Sequence, residues 1–294
     1  MRRPGASGHQ PAARRDWGPQ DWRRLLSAIR RGLATYGAAT VAHDQHASAT
    51  ALRSRQIRPR RIAVIGSTGG VGTTTAAALL ASVLAAARDD QTLLLTMHSD
   101  ACDGAVRLGI PHAPSVTEVL AGLRRHGRIP PTPVTRSGLR VLSAPPPGST
   151  VAETGLAGLL DVAASGHASV VVDAGVASRV GEFCTVAELF DTVVLVCATS
   201  TDAVAATTAV LARWRGGLPA QNGTRLILMP VRSRVGTGVP GSDAVERLLV
   251  DGAAAHVMAH DRELGRGATI DLSTVSGRSL TTALELGADI MGHR

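Results

Sequence analysis

The feature that most constrains this 294-residue chain is the run Gly-Ser-Thr-Gly-Gly-Val-Gly-Thr-Thr-Thr at 66–75, set between a strand signal and a helix signal. Before it, Arg-Ile-Ala-Val-Ile-Gly (61–66) is a short apolar run; after it, an Ala/Leu helix is expected over about 74–87. Gly69, Gly70 and Gly72 let the main chain curl until successive N–H groups face an anion. The helix that follows adds its positive N-terminal end. The general phosphate-loop pattern is G-x-x-x-x-G-K-[ST]. Gly66, Gly72 and Thr74 match it, while Thr73 stands at the lysine position. Thr74 places a hydroxyl where such loops bind Mg²⁺. Alone, the run also reads as a Gly-rich strand–helix turn with no ligand, so the surrounding chain must decide.

That chain reads as α/β. Further continuous apolar runs occur at 91–96, 139–144, 169–175, 191–198 and 224–230. Helical spacing appears at about 115–125, 203–214, 242–250 and 280–291, with Ser115 a fitting N-cap. Strands with no polar alternation, separated by helices, imply a mostly parallel, twisted sheet covered by helices on both faces. With aromatics at 2%, Ala, Val and Leu must fill the core.

The segment Gly-Gly-Val-Gly-Thr-Thr-Thr after the first strand resembles the deviant phosphate loop of the ParA/MinD ATPases. That loop carries a signature lysine immediately before its two glycines, where this chain has Thr68, so both lysine positions are Thr. The resemblance spans about 60–290. Ser-Val-Val-Val-Asp-Ala-Gly (169–175) is similar to the family's switch II strand, which makes Asp173 the Mg²⁺-linked aspartate. The segments 138–146 and 191–207 are also similar, the latter placing Asp202 near a helix start. It implies a nucleotide site at Thr68, Gly69, Gly70, Val71, Gly72, Thr73, Thr74 and Thr75, with Mg²⁺ held by Thr74 and Asp173. ATP and Mg²⁺ are the implied cofactors, and a homodimer or a protein complex the implied assembly. The chain departs from the pattern after its second strand. There Thr-Met-His-Ser-Asp (96–100) sets Met97 and Ser99 where switch I carries acids, with Asp100 offset. Met229-Pro230 stands where a base-contacting Asn is usual. The stretch 259–272 resembles actinobacterial MinD-like proteins, some of which accompany type VII secretion; Asp261 and Glu263 are base-contact candidates or loop charges.

Charge is unevenly placed. Residues 1–61 hold 13 Arg against 3 acids, a net of +10; the remainder holds 18 Arg against 20 acids, a net of −2. There is no lysine. Residues 1–60 are expected to be a basic arm, disordered except for one amphipathic helix over about 21–36, and 61–294 the P-loop domain. In that helix Trp22, Leu25, Leu26, Ile29, Leu33 and Tyr36 form an apolar stripe flanked by Arg. It suits packing on a partner or on its own domain, an anionic membrane surface, or non-specific nucleic acid. Residues 38–60 read as a linker. No run is long enough to span a bilayer, and the Arg-rich start lacks a secretory core. Cys102, Cys184 and Cys197 have neither metal nor disulfide spacing, and read as buried residues of a reducing cytoplasm.

The sequence therefore leads to a cytoplasmic, degenerate P-loop protein that binds nucleotide weakly and hydrolyses it slowly or not at all. Its expected role is a switch or scaffold in positioning, partitioning or secretion, with a cell-pole or secretion partner and peripheral membrane contact through the arm. The alternatives are a working ATPase whose missing charge comes from a second subunit, a scaffold without nucleotide, and a DNA-associated partition factor that uses the arm. In these terms an ATPase needs more than the glycines: one charge-assisted contact contributes about 1.5–3 kcal/mol. Loss of one preorganised stabiliser costs roughly 10²–10³ in rate.

Overall fold

The computed structural model describes residues 48, 50–53, 58–88, 90–98, 103–127, 129–149, 151–177, 186–216, 223–232 and 254–292. The expected helices at 21–36 and 242–250 lie outside these residues, as do Ser99, Asp100, Cys102 and Cys184.

The elements alternate. Strand β1 (Arg60–Gly66) leads into helix α1 (Thr73–Ala87), and β2 (Thr92–Thr96) into α2 (Gly104–Arg107) and α3 (Val116–His126). Strand β3 (Arg140–Leu142), helix α4 (Glu153–Gly166) and β4 (Ser169–Val176) follow. The chain continues through β5 (Thr192–Ala198), α5 (Thr201–Arg215), β6 (Arg225–Val231) and β7 (Ala254–Ala255) to α6 (Arg262–Gly265) and α7 (Gly277–Gly292). The seven strands form one parallel sheet in the order β3-β2-β4-β1-β5-β6-β7. The expected α/β class and parallel sheet are thus observed.

Why the strands lack polar alternation is visible in the packing. Successive side chains of a strand point to opposite faces. Ile62 and Val64 join one apolar cluster with α1 and α7, while Ala63 and Ile65 join the other with α3, α4 and α5. Both faces are dry, so the strand centres are apolar, with Asp173 of β4 the exception. Helix α1 has 13 of its 15 residues buried, which only an Ala-rich sequence allows at such close spacing. On its outer side, α7 crosses where a Cβ on Gly287 would stand 3.4 Å from Leu84 and 3.3 Å from Leu52.

Several elements escaped the sequence reading. Residues 50–53, placed in a linker, are helical, and Leu52 is fully buried on α1 and α7. Arg88 fixes that turn by donating to the Leu52 carbonyl, and pairs with Asp90. Helix α4 was also missed, although Leu156, Leu159, Leu160 and Ala163 carry a helical stripe into the core. Ser115 caps α3 as expected and forms a reciprocal capping box with Glu118; the bonds from the Ser115 backbone and side chain hold the Glu118 carboxyl below its usual range.

Candidate functional site

Strand β1 lies between β4 and β5, and successive strands are added on opposite sides of it, so a crevice opens at its carboxyl end. The loop leaving β1 is tied down there. The Ser67 N–H donates to the Val196 carbonyl (2.8 Å), and the Gly66 carbonyl accepts from the Ala177 N–H (2.9 Å). Gly70 and Gly72 have φ of 76° and 94°, the left-handed region that side chains resist. Gly72 is the N-cap of α1; having no side chain, it leaves the helix uncapped from that direction, and its carbonyl accepts the Ala76 N–H. The opening N–H groups of a helix have no partner within it, so this turn faces outward as a donor surface.

The eight loop residues divide by environment. Gly69 and Gly70 are exposed, and nothing lies within 4 Å of where a Cβ would stand on Gly69, Gly70 or Gly72. Thr68 and Thr75 are half-buried. Val71 is buried in the core and offers only its backbone. Thr73 and Thr74 are buried at the start of α1. The Thr73 hydroxyl folds back over Gly66, where any Cβ would collide with it. A short side chain held there cannot reach out as a lysine would.

Asp173 stands on β4, between Val64 of β1 and Thr96 of β2, and is fully buried. Its Oδ1 accepts from the Gly175 N–H (3.3 Å) and lies 3.0 Å from His98 Nε2. Among the described residues its Oδ2 has no partner, and neither do the buried hydroxyls of Ser67 and Thr96. A buried polar atom left unpaired costs about 1–3 kcal/mol. Three such atoms near the carboxyl ends of adjacent strands mark the place where a polar ligand would be satisfied. Thr74 and Asp173 supply the oxygen donors that a hard cation takes. Among the described residues, no group of three or more His, Cys, Asp or Glu forms a further metal centre.

The sequence reading missed two residues. His98 packs on Gly175 so closely that a Cβ there would come within 2.8 Å of the ring. Its signal was a histidine leaving β2 two positions beyond Thr96, within the segment flagged for switch I. Arg107 is 2% exposed and donates to Thr75 Oγ1 (3.0 Å) at the start of α1. Its signal was a lone charge in the otherwise apolar stretch 105–110. Asp103 caps α2 by accepting from the Ala105 N–H (2.9 Å) and binds the Ala144 N–H (3.2 Å), tying α2 to the chain after β3.

Other candidates have structural employment. Met97 packs against the core, and Met229 is buried within β6. Asp261 is 7% exposed and caps α6, accepting from Glu263, Leu264 and Ser276 N–H groups. Burial pushes its pKa up, but the Ser276, Ser279 and Leu264 hydrogen bonds outweigh that and leave it below the usual carboxylate range. Glu263 pairs with Arg266 on the surface. Asp202 lies exposed in the first turn of α5. Cys197 is a buried thiol whose pKa burial pushes up to about 11, despite a hydrogen bond with Thr207 that lowers it. No described helix is long and apolar enough to cross a membrane.

No family model and no curated protein matches the sequence. Solved structures do match the fold. A ParA family ATPase from Chlorobium tepidum superposes with a TM-score of 0.60 at 19% identity, over 80% of this chain and 98% of that one. A chain of the MinC:MinD cell division protein complex of Aquifex aeolicus gives 0.62 at 17%, over 80% and 97%. The McdA(D38A)–ATP complex from Cyanothece gives 0.60 at 15%, over 81% and 98%. The parallel sheet, the glycine loop at its β1 crevice and these superpositions together establish that the chain has the ParA/MinD-type P-loop fold.

Proposed function

We propose that this chain is a nucleotide-responsive positioning or scaffold protein that binds ATP with Mg²⁺ weakly and turns it over slowly or not at all. One observation carries the reading: the glycine loop is bent open at the mouth of α1, yet Thr68 and Thr73 occupy both lysine positions and Thr73 is folded inward. Backbone N–H groups from 69–75 would hold the phosphates. Thr74 and Asp173 would hold Mg²⁺, which neutralises phosphate charge when bound. The partnerless Asp173 Oδ2 suits that use. What this chain's residues lack is a fixed ammonium to follow charge developing in a transition state, so positioning survives better than catalysis.

By likeness to the MinC:MinD complex, the output is association, either of two copies or with a protein partner at a cell pole or secretion apparatus. Domain limits follow the sequence reading, with a basic arm over 1–60 that contributes anionic-membrane or nucleic-acid attraction from a cytoplasmic protein. Calorimetry with ATP and Mg²⁺ at millimolar concentration tests the reading. Saturable heat with phosphate release near background supports it; no heat leaves a scaffold without nucleotide. Brisk hydrolysis that disappears in Asp173→Ala makes the chain a true ATPase instead.

A further inference from the structure

Arg107 is a buried cation without an anion. Its side chain is almost wholly enclosed, and among the described residues no carboxylate lies within 4.0 Å of its guanidinium. Nη1 donates to the Ala268 carbonyl, Nη2 donates to the Leu264 carbonyl (3.0 Å) and to Thr75 Oγ1 (3.0 Å), and Nε has no partner. Carbonyls and a hydroxyl satisfy donors, but they do not neutralise a unit charge. Burial of a charge with no opposite charge beside it is costly. The location makes it worse: Thr75 lies in the first turn of α1, whose macrodipole is already positive at that end. A second positive charge there repels the first unless a negative group stands between or before them.

We propose that Arg107 is the cation of the phosphate site, supplying in cis the charge absent at Thr68 and Thr73; this rests on the nucleotide-binding reading above. The route runs through Thr75. Because Thr75 Oγ1 accepts from the guanidinium, its own hydroxyl hydrogen is left to donate elsewhere. Thr75 is half-buried, and it follows the open glycine loop by three residues. Its hydroxyl thus hands the positive charge of Arg107 to an anion at the helix mouth. The same guanidinium holds the loop between α6 and α7. Besides the Leu264 and Ala268 bonds, the Arg107 carbonyl accepts from the Ile270 N–H (2.7 Å). An occupied cradle therefore fastens 264–270, and Arg107 is a positioning residue for that segment.

The test uses the full chain, ATP with Mg²⁺, calorimetry, and hydrogen exchange over 264–270. Arg107→Met weakens ATP binding about 10- to 100-fold, the range of a lost charged hydrogen bond. Arg107→Lys keeps charge but not the fork, and loses less. Thr75→Val weakens binding too, and its loss does not add to that of Arg107→Lys, because the two act as one unit. ATP slows exchange over 264–270 in the unaltered chain and not in Arg107→Lys. Should Arg107→Met fail to fold, the Arg107→Lys and Thr75→Val cycle and the exchange pattern decide. Additive losses, or unaltered affinity in Arg107→Lys with exchange protection intact, reduce Arg107 to a clamp and overturn the proposal while the nucleotide reading stands. An unaltered chain that binds no ATP overturns both.

Discussion

The two ends of the sheet are built on opposite principles. At the amino ends of the strands, polar groups are paired. Arg61 binds Asp161 (2.7 Å) and its N–H donates to Asp191 (2.7 Å), Thr92 and Ser169 share a buried hydrogen bond (3.0 Å), and Arg225 at the start of β6 holds Asp289 (2.7 Å). His167 Nε2 is the exception there. At the carboxyl ends, Ser67, Thr96, Asp173 and Arg107 all keep a buried atom unpaired. The same strands carry both ends, so packing does not explain the contrast. One end is finished by the chain itself; the other, among the described residues, keeps buried polar atoms in reserve.

Substitutions can break or sharpen that contrast. The largest effect is expected from Thr73→Lys, which returns an ammonium to the unfinished end. Affinity for ATP should rise about 10- to 100-fold by calorimetry, and an unchanged constant would show that the cradle does not receive phosphate. Next comes a matched pair. Asp173→Asn removes a buried, half-paired carboxylate, and should leave the ligand-free urea midpoint unchanged or raise it, while Mg²⁺-dependent nucleotide binding falls. Ser169→Ala strands the Thr92 hydroxyl at the finished end, and should lower stability by about 1–3 kcal/mol. If Asp173→Asn proved the more destabilising of the two, the two ends would not differ in kind.

A smaller effect is expected with pH. Asp261 titrates below its ordinary value when folded, so its stabilising contribution is present above about pH 4 and fades as pH falls through the folded pKa. The thermal midpoint should drop in acid, and Asp261→Asn should flatten that drop; an equal slope in the variant would remove Asp261 from the account. The smallest concerns Cys197. With its pKa at about 11, peptide mapping after alkylation at pH 8 should find it unmodified in the folded chain and modified after denaturation.

The readable part of the molecule was the part written in consecutive residues. The strands β1, β4 and β5, the glycine loop and α1 each carry their signal within a single apolar or Gly-rich run, and the sheet class followed from them. Asp173 was legible because the consecutive run 169–175 resembles the family's switch II strand. Arg107 was not: its acceptors lie 32, 157 and 161 positions away, and no local pattern reports them. His98 faces Asp173 only because β2 and β4 are neighbours, although β3 and α4 intervene in sequence. Leu52 looked like linker because so short a helical stretch leaves periodicity too little to register. Asp261, left open between a base contact and a loop charge, is a helix cap, and Met229, at the place of a base-contacting Asn, is buried in the core.

The enclosure of α1 has a mechanical consequence. A helix wrapped on so many sides behaves like a dowel in a fitted hole, since interiors packed to crystal density pass displacement on and do not absorb it. Its front end is the glycine mouth. Its flank bears on Leu52 and on the close crossing at Gly287. A push at the mouth is therefore passed along one rigid element to the turn at 50–53.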